Sequence, residues 1–168
     1  EVSSQVPLLI EWQGHITPGS ASDALVQNID FAPTLLAAAG VKPKTPMHGV
    51  SLLPLFEDGA EPEDRDLYYH FYENPGFHSV ARHYGVRTER YKLVYYYQND
   101  EWELFDLVTD PQDQVNLYGK QGYAAITSDL QQRLQALRVQ YQVPSTDPEV
   151  PWYHGPMIRG IEKLMMWL

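Results

Sequence analysis

Apolar and polar positions follow two different rhythms along this chain, and the change of rhythm divides it. Residues 6–12, VPLLIEW, form a nearly continuous apolar run, the pattern of a strand buried on both faces. Such strands belong to parallel sheets, and residues 1–55 hold no second run of that kind to pair with it. The run is therefore expected to lie beside strands encoded elsewhere. Residues 28–39 place Ile29, Leu35, Leu36 and Ala39 at helical spacing. Asn28 or Asp30 suits the N-cap, Pro33 the first turn and Gly40 the stop. Ser51 can cap a short turn carrying Leu52, Leu53 and Leu55. Residues 57–66 are acidic, contain Gly59 and Pro62, and read as an exposed linker and subdomain boundary.

Beyond the linker the period falls to two. Residues 67–72, 80–88, 91–97 and 102–107 predict strands. Tight turns at Glu89-Arg90 and Asn99-Asp100 join the last three into an antiparallel meander. Arg87 and Lys92, on adjacent strands, are placed to meet Glu103 or Asp106 across the sheet. Asp110-Pro111 sets a turn in which the carboxylate accepts nearby backbone N–H groups, and Asn116 serves the loop leading to the helix. Tyr123, Ile126, Leu130, Leu134, Leu137 and Tyr141 then step by three or four, predicting a helix over 123–141 that lies across the meander. Residues 142–155 are rich in proline and read as extended, and 156–168 predict a last short helix.

Composition narrows the function. The formal net charge is −10 and no basic run appears, which argues against a nucleic-acid partner. The absence of cysteine removes disulfides, thiolate metal sites and cysteine nucleophiles. No apolar run reaches the roughly 20 residues a membrane span needs. There is no G-x-S-x-G elbow, P-loop or dinucleotide fingerprint. His70 alternates within a strand and reads as structural. His78 and His83 have no third ligand at a suitable spacing, so they do not read as a metal pair.

A resemblance adds to this. The segments VPLLIEWQGHITPGSASDALVQNIDFAPTLLAAAGV, MHGVSLLPLF, YGVRTERYKL, ELFDL and DPQDQVNL follow one another in an order and spacing similar to the C-terminal part of sulfatases of the alkaline-phosphatase superfamily. HFYENPGFHSVARHYGVRTERYKL most resembles the branch acting on sulfated glycans, which includes N-acetylglucosamine-6-sulfatase-like members and arylsulfatases. The implied fold class is α/β, or α+β for this chain in isolation: residues 1–60 as the end of an α/β domain, 61–141 as an antiparallel sheet with a packed helix, and 142–168 as an extended tail with a short terminal helix. The implied parent reaction is sulfate-ester hydrolysis by a formylglycine nucleophile and a divalent metal, calcium. That nucleophile is made in a C/S-x-P-S-R motif, which this sequence lacks. The expectation is that catalytic residues and metal ligands lie outside the chain, none in it, and that its partners are the N-terminal catalytic portion of the same protein and a sulfated carbohydrate. The resemblance also implies a secreted, periplasmic or lysosomal setting.

The expected contribution of this segment is recognition. The connection over 73–82 joins two strands, and loops held on a rigid sheet are where binding groups concentrate. Arg82 can clamp a sulfate with two bonds, His78 and His83 can bond sugar hydroxyls, and Tyr72 can stack on a sugar face. Two other readings remain open, a non-catalytic carbohydrate-binding module rich in Tyr and Trp, and a phosphoesterase of the same superfamily.

Overall fold

The computed structural model describes residues 6–56, 65–74 and 80–147. They fall into two compact units, Glu1–Leu67 and Tyr68–Leu168.

In the first unit a 3-10 turn, Asn28–Asp30, leads into α1 (Phe31–Ala38), and α2 (Leu53–Phe56) follows a loop. Gly40 takes a φ of 67°, and the Gly40 and Val41 N–H groups donate back to Ala37 and Leu36 carbonyls at 2.9 and 2.8 Å, which ends α1 as its glycine predicts. Residues 6–12 form no strand, and Val6, Leu8, Leu9 and Ile10 are exposed, Leu9 by 92%. A strand of that composition needs ladder partners on both edges, and none is present among the described residues of this unit. The inward face of α1 is also not the apolar one. Leu35 is 69% exposed, while Asp30 and Thr34 are buried beside Leu52.

That polar face has a physical reason: it satisfies backbone. Asp30 accepts from the N–H groups of Gln27 and Val50 at 2.7 and 3.0 Å. The Thr34 hydroxyl donates to the Asp30 carbonyl at 2.6 Å and accepts from the Leu52 N–H at 2.9 Å. A side chain at Gly49 would meet the Ile29 carbonyl oxygen at 2.0 Å, so glycine is what lets the second segment lie this close. Ser51 accepts from the Leu53 N–H at 3.3 Å, as its capping role predicts.

The second unit is a four-stranded sheet in the order β1 (Leu67–Phe71), β2 (His83–Arg87), β3 (Tyr91–Tyr96), β4 (Glu101–Asp106). β2–β3 and β3–β4 are antiparallel, and their register lines up Val86, Leu93 and Leu104 across the sheet. α3 (Ala124–Gln140) lays Leu130, Leu134 and Leu137 on those three residues, forming the main core. The opposite face carries a smaller cluster of Val94, Phe105 and Leu107, with Tyr69 and Tyr96 packed on it.

The turns follow the sequence closely. Asp100 adopts a φ of 55° at the β3–β4 turn, a conformation Asp tolerates better than most residues. The Asp110 carboxylate accepts from the Gln114 and Val115 N–H groups at 2.7 and 2.8 Å. Lys92 and Asp106 find partners other than each other. Lys92 pairs with Asp113 at 2.6 Å, and Asp106 is taken by Arg90 at 2.8 Å. Tyr91 lies opposite Asp106, and Lys92 one position on projects to the other face, so Lys92 and Asp106 cannot meet. The helix expected over 156–168 lies outside the described residues.

Candidate functional site

Strand alternation sorts the candidate residues before any contact is considered. Tyr68 and Tyr84 pack on the α3 core, whereas Tyr69 belongs to the opposite cluster. His70 and Tyr72 continue the α3 side of β1, Phe71 the other. Arg82 and His83 are adjacent at the start of β2 and therefore face opposite ways.

On the α3 side a directed hydrogen-bond chain forms. The Tyr97 hydroxyl lies 2.7 Å from Asp147 Oδ2 and donates its one hydrogen to that carboxylate as a hydrogen bond. Tyr97 Oη must then accept from His70 Nε2, 3.3 Å away, which places the imidazole proton on Nε2. His70 Nδ1 is left to accept from the Tyr68 hydroxyl at 2.9 Å. The His70 side chain is only 7% exposed, and burial drives its pKa down to about 4, against the smaller pull of Asp147 in the other direction. His70 is thus a neutral structural histidine, as its strand position predicts. Burial also raises the Tyr97 hydroxyl, and the bond to Asp147 adds to that. Tyr72 stacks on the His70 ring at 3.8 Å, and Arg138 of α3 sits 4.0 Å above the Tyr84 ring.

Arg82 joins this cluster. Its Nη1 donates to Asp147 Oδ2 at 2.8 Å and its Nε to the Asn74 carbonyl at 2.9 Å. Burial works to raise the pKa of Asp147, but Tyr97, Arg82 and His70 outweigh it and hold the carboxyl below its ordinary range.

His83 occupies the other face. Its ring packs on Phe71 at 5.4 Å and Tyr96 at 5.0 Å, with Tyr69 at 6.1 Å. Nδ1 lies 2.9 Å from the Ala81 carbonyl, which can only accept, so the neutral ring carries its proton on Nδ1 and presents Nε2 as an acceptor. Burial, with Glu103 beside it, pushes the neighbouring Tyr96 hydroxyl up to about 12.

Tyr72 and Arg82 therefore share one cluster, His83 stands on the reverse of the sheet, and His78 lies outside the described residues. Sequence reasoning missed Asp147 and the Tyr97 hydroxyl, the two groups that organise the cluster. Among the described residues no group of three or more His, Cys, Asp or Glu side chains could hold a metal ion, and no helix is long and apolar enough to cross a membrane.

The family model described as N-sulphoglucosamine sulphohydrolase, C-terminal, matches residues 1–140, and the chain belongs to that family. It is 42% identical over 153 residues to the N-acetylglucosamine-6-O-sulfatase of Bacteroides thetaiotaomicron, covering 89% of this chain and 27% of that protein. It is 32% identical over 143 residues to arylsulfatase K of Bos taurus, covering 82% of this chain and 26% of the relative. A solved structure of BT4656 in complex with its substrate D-glucosamine-2-N,6-O-disulfate is similar in fold, with a TM-score of 0.74 and 42% identity over 80% of this chain and 28% of that one. The chain thus spans 27% and 26% of the lengths of the two curated relatives.

Proposed function

We propose that this chain is the C-terminal portion of a sulfatase that hydrolyses sulfate esters of a carbohydrate. It supplies scaffold and a recognition surface, and the nucleophile and metal ligands reside in an upstream portion of the same protein. The observation that carries this reading is the 42% identity to an N-acetylglucosamine-6-O-sulfatase, sustained over 89% of the chain. The sequence carries no C/S-x-P-S-R motif, and the chain spans 27% of that relative's length, which supports placing the chemistry elsewhere. A divalent metal, calcium by family resemblance, would stabilise the sulfate oxyanions in the parent enzyme.

Within this chain the recognition residues are His83, Tyr72, Arg82 and His78. His83 offers an acceptor nitrogen to a sugar hydroxyl from a cradle of aromatic rings. Tyr72 offers ring surface, and Arg82, held by Asp147 and the Asn74 carbonyl, braces the start of β2 beside it. The row of rings Tyr95, Trp102 and Tyr118, stacked at 4.3 and 6.0 Å with Tyr118 exposed, favours a second reading in which the unit binds carbohydrate without catalysis.

Sulfate release from D-glucosamine 6-O-sulfate by the parent protein, followed by ion chromatography, tests the first reading. Hydrolysis is expected, and His83→Ala should raise KM by about tenfold through the lost hydroxyl contact. Faster release of phosphate from D-glucosamine 6-phosphate would favour the phosphoesterase, and binding without turnover the carbohydrate-binding module.

A further inference from the structure

One carboxylate ties together the ends of several elements of the second unit. After α3, Gln142 takes a φ of 51°, and the Gln142 and Val143 N–H groups donate to the Val139 and Arg138 carbonyls at 3.1 and 2.9 Å. This closes the helix and sends the chain back over the sheet to Asp147. There Asp147 Oδ2 receives Arg82, from the start of β2, and Tyr97, from the end of β3, at sequence separations of 65 and 50 residues.

The same arginine closes the neck of the β1–β2 connection. Its Nε donates to the Asn74 carbonyl, and the Asn74 side chain donates across the neck to the Val80 carbonyl at 3.0 Å. The Arg82 N–H donates to Gln98 Oε1 at 2.7 Å. A connection bridged at its base in this way keeps its anchor points fixed. A segment without regular structure, such as 143–147, is ordered against its entropy only by such bonds. Both partners are largely buried, with side-chain exposures of 19% for Arg82 and 21% for Asp147, so solvent screens the pair only in part.

We propose that Asp147 is a positioning residue for carbohydrate recognition: by holding Arg82 and Tyr97 it fixes the neck that is flanked by Tyr72 on the α3 face and by His83 on the reverse face. Asp147 touches no substrate in this scheme. It acts through Arg82, whose guanidinium serves as a strut between Asn74 and Asp147. This deepens the sulfatase reading of the preceding section and rests on it.

The test uses the parent protein with two probes, D-glucosamine 6-O-sulfate and 4-nitrophenyl sulfate, which carries the ester without the sugar. Asp147→Asn removes the charge and keeps the shape. The expected result is a KM for the sugar sulfate raised about tenfold, with kcat and the KM for 4-nitrophenyl sulfate each within about threefold of wild type. Tyr97→Phe, which removes the hydroxyl's bonds to Asp147 and His70 and keeps the ring and the Arg82–Asp147 pair, should move KM in the same direction by less, and it carries the test alone if Asp147→Asn does not fold. An unchanged sugar KM in the folded variants, or an equal loss on both probes, overturns the inference. A wild-type parent that hydrolyses neither ester overturns the sulfatase reading and the inference with it, a result distinct from failure of the variants alone.

Discussion

Arg65 grips the buried carboxylate of Asp30 with both arms of its guanidinium, Nη1 lying 3.1 Å from Oδ1 and Nη2 bonding Oδ2, while its Nε donates to the Leu25 carbonyl at 3.0 Å. Burial acts to raise the pKa of Asp30. The Arg65 guanidinium and the Gln27 and Val50 N–H groups outweigh it, and the carboxyl is held below its ordinary value. Arg65→Ala would strand a carboxylate with no exposed surface, and a loss of about 3–5 kcal/mol is expected in a chemical-denaturation curve that reports on the first unit. A loss under 1 kcal/mol would mean that the backbone donors alone hold Asp30.

Acid should weaken the second unit through His70. Its folded pKa, about 4, lies below the ordinary 6.5, so between those values the unfolded chain binds a proton that the folded chain refuses. Stability is then full above about pH 6.5 and falls by roughly 3 kcal/mol as the pH drops to about 4, at about 1.4 kcal/mol per pKa unit. Urea midpoints at pH 7 and pH 4.5 measure the drop, and His70→Gln should flatten it.

Asn116 joins the loop after β4 back to the strand. Its Oδ1 accepts from the Leu104 and Tyr118 N–H groups at 3.0 and 2.9 Å, and its Nδ2 donates to the Trp102 carbonyl at 3.2 Å. Leu104 is fully buried, so Asn116→Ala leaves an interior donor without its partner. A thermal or urea melt should show a loss of about 1–3 kcal/mol.

The α3 core offers an internal contrast. Leu134 is 2% exposed and Val139 is 69% exposed on the same helix. Leu134→Ala should cost about 2–5 kcal/mol, and Val139→Ala should stay within about 0.5 kcal/mol. Equal effects would contradict the packing of α3 described above.

Much of the second unit was legible because its signals are local. The two-residue alternation of β3, the Asn99-Asp100 turn and the leucine spacing of α3 each follow from neighbours in sequence. The first unit was less so. The inward face of α1 is set by Asp30 and Thr34, polar residues whose burial depends on partners 18 to 35 positions away. Arg65 was hidden in a stretch read as exposed linker; its being the single base among acids there was the available clue.

Asp147 left no comparable trace, since an Asp in a proline-rich stretch reads as solvated loop. The division of the candidate site was legible: Arg82 and His83 are consecutive in a strand register, and period two alone sends them to opposite faces.

Sulfate release by the intact parent and by the purified 168-residue chain, assayed side by side on D-glucosamine 6-O-sulfate, addresses the central claim most directly. Turnover by the parent and none by the chain is the predicted result. Hydrolysis by the chain alone would contradict the assignment of the chemistry to an upstream portion.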